Sequence, residues 1–513
     1  MRMDPGEARP RAVVIGAGLG GLASAMRLGA KGYDVTVLDR LDTPGGRGSA
    51  LHRGGHRFDL GPTIVTVPAL LRDLWAATGR DFDSEIDLRA LDPFYEIRWP
   101  DGSTFTMRPG AEAMREEVRR LAPGDLAGFE RFLEDAEARY QVGFVGLGRR
   151  PMHRLSDMLK VLPTFARLRA DRSLAAHAAA RVRDPRLRMA LSFHPLFIGG
   201  DPFRVTSMYA LVSHLEAAFG VHYAIGGVAR IAERMAAIVR EQGGRVRQGV
   251  EVDRIRIQDG RARGVTLTTG ERVPAEVTVS NADPGQTYDR LLRDAPRRRW
   301  TPKALASRRW SMGVFVWYFG TRGTRGMWED VGHHTIINGP RYRGLLDDIF
   351  IRGRLAEDMS LYLHRPAVTD PTVAPAGDDT FYVLSPVPHL GWASPVNWER
   401  EEPAYRERVA AVLDKAMPGF RDRIVTERVF TPETFRQRYL SPHGAGFSLE
   451  PRILQSAWFR PHNVSEEARG LYLVGAGTHP GAGLPGVVSS AEVLAKMVPD
   501  LPARDARLRM AAE

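Results

Sequence analysis

Period-two and helical patterning alternate along this chain, and the first exchange is the sharpest. Residues 12–15 form a short apolar run rich in β-branched side chains, which predicts a buried strand. Helical composition follows over 22–30, Gly32 ends it, and 35–38 predicts a second strand running into Asp39. This is a βαβ unit. A helix-like stretch spans 68–78. Strand character begins near Asp81 and alternates through 95–99, and Asp101-Gly102 predicts a hairpin turn into 104–107. From about 111 to 216 the period is helical. Pro123-Gly124-Asp125 opens one helix, over 126–140. Within the basic stretch 148–163, Met152, Leu155, Leu159 and Leu162 recur at helical spacing. A helix over 228–242, a strand over 245–248, a hairpin of 251–257 with 264–268, and a strand over 277–282 restore the α/β pattern. Residues 312–319, 360–364 and 380–385 predict strands of a larger sheet, and 402–415 an amphipathic helix. The chain closes with a strand over 470–474, a glycine-rich loop and a helix from about Val487.

The turns between these elements carry the chemistry. Gly16, Gly18 and Gly21 stand at G-x-G-x-x-G spacing straight after the first strand. Such glycines allow a tight turn, close approach of a pyrophosphate to the backbone, and close packing of helix on sheet. The helix N-terminus offers free N–H groups to phosphate, and Asp39 is placed to accept from ribose hydroxyls. A second glycine-rich turn, Pro44-Gly45-Gly46-Arg47, and the run Gly61-Pro62-Thr63 follow the acid. That arrangement suits FAD rather than NAD, with Arg47 meeting a phosphate or a flavin edge. Near the C-terminus, Gly475, Gly477, Gly486 and Val487 place a helix start where its N–H groups stabilise negative charge on a reduced flavin ring. Val252 either packs against adenine or is one more buried strand valine.

Composition narrows the classes. With 513 residues and 43% hydrophobic content, the chain is long enough for two or three domains. It has no cysteine, which excludes disulfides, cysteine zinc sites, iron–sulfur clusters and thiol nucleophiles. The net charge of +11 is dispersed among acids, without a nucleic-acid motif. No apolar run approaches the roughly 18–20 residues of a spanning helix, and the polar tail 1–10 is not expected to be a secretory signal. The basic stretch 149–163 is either a membrane-interface helix or a plain surface helix. The apolar, aromatic segment 192–202 either lines a cavity or is a buried helix end, with His194 read as a hydrogen-bonded core histidine.

Taken together, G-x-G-x-x-G at 16–21, P-G-G-R at 44–47, F-D-x-G-P-T at 58–63, S-F-H-x-L-x-x-G-G-x-P at 192–202 and G-A-G-T-H-P-G-A-G-x-P-G at 475–486 resemble the bacterial phytoene desaturase family. The likeness lies within the flavin amine oxidase superfamily, is strongest to the type found in purple photosynthetic bacteria, and runs over about 12–496. It implies an α/β fold with three parts. These are a Rossmann-type FAD-binding domain (1–80, 222–290, 451–513), a discontinuous β-rich substrate domain (81–110, 291–450) and a helical, membrane-facing subdomain (111–221). It also implies FAD-dependent desaturation of 15-cis-phytoene, through phytofluene and zeta-carotene, to neurosporene or lycopene. Alternatives are desaturation of a hydroxy- or methoxyneurosporene, or a non-redox lipid-escort role on the same fold. The implied partners are a hydrocarbon carotenoid, a membrane lipid surface, and oxygen or a quinone as electron acceptor, at the cytoplasmic side of the inner or photosynthetic membrane. Asp157 and Lys160, i and i+3 on the basic helix, are the acid–base pair to test, the alternative being a surface ion pair.

One position departs from the wider superfamily. Many members carry an acid for a ribityl hydroxyl where this chain has Ala476. Looser FAD binding than in the amine oxidases is therefore expected. Extensive dialysis followed by flavin quantification checks this: substoichiometric FAD is the expected result, and full retention contradicts it.

Overall fold

The computed structural model describes residues 9–501. Most of the tail 1–10 lies outside them, as do the last twelve residues of the final segment assigned to the FAD-binding domain. A parallel five-stranded sheet is ordered Leu471–Leu473, Val277–Ser280, Arg11–Ile15, Asp34–Leu38, Arg245–Arg247. Its side chains divide by parity. Ala12, Val14, Val35 and Val37 enter a core with the helices Leu19–Ala30, Gly227–Glu241 and Leu484–Met497. Val13, Ile15 and Leu38 enter a second core beneath the antiparallel strands Val252–Gln258, Arg261–Leu267 and Arg272–Val273. Both faces are covered, so these strands read as continuous apolar runs. From the central strand the chain passes to one neighbour at Asp34 and later reaches the other at Val277. That switch opens a crevice at the carboxyl ends of the strands.

A seven-stranded sheet is ordered Ile424–Phe430, Gly313–Thr321, Asp379–Val387, Leu361–His364, His334–Ile337, Tyr95–Arg98, Thr104–Met107. All its pairs are antiparallel except that of Tyr95–Arg98 with His334–Ile337. Along Gly313–Thr321, Phe315, Trp317 and Phe319 pack under the helix Trp398–Ala416. Val314, Val316 and Tyr318 face the opposite core. The strand-like reading from Asp81 needs correction. Asp81 caps a short helix, Phe82–Glu85, by accepting from Asp83 N at 3.3 Å, and strand character begins only at Leu88–Ala90.

The segment 111–167 forms the helices Ala111–Leu121 and Leu126–Tyr140, a wide turn Gln141–Gly148 and the helix Leu155–Arg167. The last starts later than its sequence pattern predicts and runs through Pro163. Its apolar stripe is divided. Met152 is buried, whereas Leu155, Leu159 and Leu162 are 52%, 55% and 45% exposed. Met158 points inward. Among the described residues no helix is long and apolar enough to cross a membrane.

Glu85 ties the helix Ala69–Ala76 to Gly227–Glu241. It accepts from Trp75 Nε1 at 2.8 Å, Arg80 Nη1 at 2.9 Å and Arg234 Nε at 2.7 Å. The Arg234 hydrogen bonds, foremost, lower its pKa from 4.5 to about 2. A depressed carboxyl pKa stabilises the fold above the unfolded value and loses that contribution as pH falls through the folded one. Glu85→Gln is therefore expected to cost about 1 kcal/mol at pH 7, after discounting for solvent screening. In urea titrations at several pH values, the gap to wild type should close between 4.5 and about 2. A gap independent of pH contradicts the assignment.

Candidate functional site

One cavity of about 610 Å³ joins the crevice to the space between the two sheets. At the crevice end it is lined by the first turn (Gly16, Gly18), the acid Asp39, and the second turn (Gly46, Arg47). Gly61, Pro62 and Thr63 border the same space, as do Val252, Gly475, Gly486 and Val487. Gly21 and Gly477 do not line it. A Cβ on Gly21 would collide with Gly16 O, and one on Gly477 with Pro284 and Ser448, so these two permit close packing.

The turns converge on a residue that the glycine pattern does not reveal. A Cβ on Gly18 would stand 2.8 Å from Asn281 Nδ2. One on Gly20 or Gly475 would stand 2.7 Å or 2.6 Å from Asn281 Oδ1. Two helices start here, at Leu19 and Leu484, after Gly18 and Gly483. Neither has a side-chain cap or an acid in its first turn, whereas Asp184 and Asn397 cap helices elsewhere. Their first N–H groups and positive dipole ends are thus available to an anion in the cavity. The cradle fits a dinucleotide: glycine at the close approaches, two uncapped helix starts, and an acid at the second strand end.

The charged groups around it are held in place. Asp39 Oδ2 accepts from Ala17 N at 2.6 Å and Oδ1 from Leu41 N at 2.8 Å. Burial raises the Asp39 pKa, and these two N–H groups oppose the rise. Arg47 donates to Ser441 Oγ and stands 5.6 Å from the centre of the Tyr439 ring. Burial lowers its pKa, countered by Asp283, whose own pKa burial raises. Arg460, 1% exposed, donates to Ala476 O at 2.7 Å and holds the C-terminal loop. Asn281, Asp283 and Arg460 belong to no glycine motif. The signal for Asp283 was its place just past the end of a parallel strand; Arg460 had none.

Away from the crevice the lining is apolar and aromatic. Phe193, Phe197 and Ile198 of the segment 192–202 line it, beside Met208, Leu211 and Leu215. The rings interlock: Phe193 meets Phe197 edge-on at 5.3 Å, and Phe197 meets Tyr362 at 5.5 Å. His194 is a hydrogen-bonded buried histidine, and it also borders the cavity. Its Nε2 lies 3.0 Å from Glu216 Oε2, while Tyr95 Oη donates to Glu216 Oε1 at 2.9 Å. On the Leu155–Arg167 helix, Met158 and Phe165 line the cavity. Asp157 and Lys160 do not: Asp157 is half-buried and Lys160 exposed, on other faces of the helix. The structure thus brings neither member of that expected acid–base pair to the site. A separate buried trio, His333, His334 and His364, lies outside the cavity lining. His364 and His333 are bonded to each other at 3.1 Å, and burial lowers all three pKa values, that of His334 to about 3.

Comparison with known proteins places this geometry. Residues 19–498 match the family model of flavin containing amine oxidoreductases. The chain is 67% identical over 500 residues to a neurosporene-forming phytoene desaturase of Cereibacter sphaeroides, covering 98% of this chain and 96% of that protein. It is 63% identical over 498 residues to a neurosporene-forming phytoene desaturase of Rhodobacter capsulatus, covering 97% and 95%. Among solved structures, an oxidoreductase from Methanosarcina mazei shares the fold, with a TM-score of 0.63, 17% identity and coverage of 95% and 100%. The chain belongs to the flavin-containing amine oxidoreductase family, and its cofactor is FAD.

Asp39→Ala removes the acceptor of two backbone hydrogen bonds and the acid expected to meet the ribose. FAD affinity is expected to fall at least tenfold, a loss of about 1.4 kcal/mol or more. Flavin retained through gel filtration reads this directly, and unchanged retention contradicts the role.

Proposed function

We propose that this chain is a phytoene desaturase that converts 15-cis-phytoene to neurosporene in carotenoid biosynthesis. The observation that carries the reading is the single cavity, which fits a dinucleotide at one end and is apolar and aromatic at the other. The identity of 67% to a neurosporene-forming desaturase supports the product. The three-part division of the chain stated above belongs to the same proposal.

Bound FAD supplies a two-electron acceptor that takes a hydride from an allylic carbon. The protein's own work is binding, orientation and exclusion of water. The N–H groups at the start of Leu19–Ala30, with Arg47, would hold the phosphates. Asp39 would hold the ribose, and the start of Leu484–Met497 would supply N–H groups to the flavin. A hydrocarbon offers no hydrogen-bonding handle, so its register rests on the shape set by Phe193, Phe197, Tyr362 and the helix Leu211–Phe219. The same wall keeps water from the reacting carbons.

The substrate dissolves in lipid, and the Leu155–Arg167 helix is suited to the interface. Leu155, Leu159 and Leu162 face outward while Met158 and Phe165 of the same helix line the cavity. Three leucines exposed on a helix with basic residues form a surface for the membrane interface. The protein is read as peripheral to the membrane, with oxygen or a quinone reoxidising the flavin.

Pigment extraction after incubating FAD-loaded protein with phytoene liposomes tests the activity. Neurosporene as the end product is expected. Unchanged phytoene alongside conversion of a hydroxy- or methoxyneurosporene overturns the substrate, and conversion of neither favours the escort role. Replacing Leu155, Leu159 and Leu162 together by serine is expected to reduce liposome flotation at least tenfold without loss of bound FAD. Undiminished flotation contradicts the docking surface.

A further inference from the structure

We propose that Glu216 is a catalytic residue: the anion that faces the cationic stage of the polyene and accepts its proton. The inference rests on the desaturase reading and adds to it the group that completes the reaction.

Removing hydrogen from adjacent carbons requires two departures. One C–H bond breaks with its electron pair going, as hydride, to the flavin. The neighbouring C–H bond then breaks with its electrons forming the new C=C, and the proton must go to a base. In an apolar, water-poor space the base has to come from the protein. Among the described residues four carboxylates border the cavity: Asp39, Glu251, Asp283 and Glu216. The first three follow or adjoin strands of the nucleotide-binding half, where Asp39 is engaged by backbone N–H groups and Glu251 by Arg290 at 2.6 Å. Glu216 alone is on the helix Leu211–Phe219, among the aromatic walls.

Its surroundings suit the task. Both oxygens are fixed, one by Tyr95 Oη at 2.9 Å and the other by His194 Nε2 at 3.0 Å. The His194 side chain is fully enclosed, whereas that of Glu216 keeps 3% of its surface open. All three side chains border the cavity; Glu216 is the carboxylate among them, and His194 and Tyr95 are positioning residues. A chain of contacts leads back to the cofactor end. Tyr95 lies 5.8 Å from Phe197, Phe197 lies 5.5 Å from Tyr362, and Tyr362 is hydrogen-bonded to Thr63 at 2.6 Å. A buried anion is costly. Here it offsets that cost by stabilising the delocalised cation left when the hydride departs, and it regains neutrality by taking the proton.

The test compares wild type with Glu216→Gln, which keeps the shape and one of the two acceptor oxygens. Turnover of phytoene is expected to fall about 10²-fold or more, the range for loss of a general base. Bound FAD and phytoene affinity should change less than about twofold on the same principle. A second readout does not depend on turnover. N,N-dimethylgeranylgeranylamine, protonated at neutral pH, mimics the cation, and its affinity is compared by titration calorimetry with that of a neutral C20 hydrocarbon. The amine's advantage over the hydrocarbon is expected to shrink about tenfold or more in Glu216→Gln, as for a lost charge partner. Equal amine preference in both proteins, or turnover within threefold of wild type, overturns the proposal. Should Glu216→Gln fail to fold, Glu216→Asp takes its place. Retained amine preference with turnover reduced by displacement of the carboxylate is then expected, and unaltered turnover overturns the proposal. Should wild type leave phytoene unconverted, the desaturase reading fails, and the amine comparison still decides whether Glu216 faces a cation.

Discussion

Everything in this structure depends on how closely backbone from distant parts of the chain approaches Asn281. Three glycines, Gly18, Gly20 and Gly475, surround that side chain at distances where no Cβ fits without displacing its amide. Their closeness brings the first and last strands of the described chain into one sheet and sets two helix starts beside one cavity. A methyl group at any of the three would displace the Asn281 amide, and one at Gly20 would also press on the Gly475 backbone at 3.2 Å. The site is therefore a product of missing side chains as much as of present ones.

The cavity is divided by chemistry rather than by a wall. At the crevice end, free N–H groups, Arg47 and Asp39 are placed to hold a polar, charged dinucleotide, and both side chains are fixed by further contacts. At the other end rings and aliphatic side chains shape a slot for a molecule without polar groups. Recognition of such a molecule rests on dispersion and on exclusion of water, both of which demand dense packing of the lining. One carboxylate interrupts that lining, and two donors secure it. A lone buried acid would lack partners; Glu216 has one at each oxygen, Tyr95 and His194.

How far the sequence foretells this depends on the range of the interaction. The helix Leu126–Tyr140 was legible to the residue because its period, its opening Pro-Gly-Asp and its neighbours all agree locally. The glycine turns were legible because backbone geometry leaves few alternatives to glycine. Glu216 and Arg460 were not, because nothing near them in sequence marks them. Tyr95 reaches Glu216 across 121 positions, and Arg460 meets Leu449 and Ala476 through loop geometry alone. Asp157 and Lys160 show the converse: neither lines the cavity. Their i, i+3 spacing is visible, yet spacing does not say which side of a helix meets a cavity; Met158 and Phe165 hold that side. For the same reason the leucine stripe read as amphipathic without revealing that its leucines face outward.

The central claim is that one cavity brings a carotenoid hydrocarbon to the flavin for electron-pair transfer. Anaerobic mixing of the FAD-loaded protein with phytoene in liposomes, followed in the visible spectrum, tests it most directly. The account predicts loss of the oxidised flavin absorbance in step with the appearance of longer-wavelength polyene bands. Persistent oxidised flavin, with FAD and phytoene both shown to be bound, would contradict it.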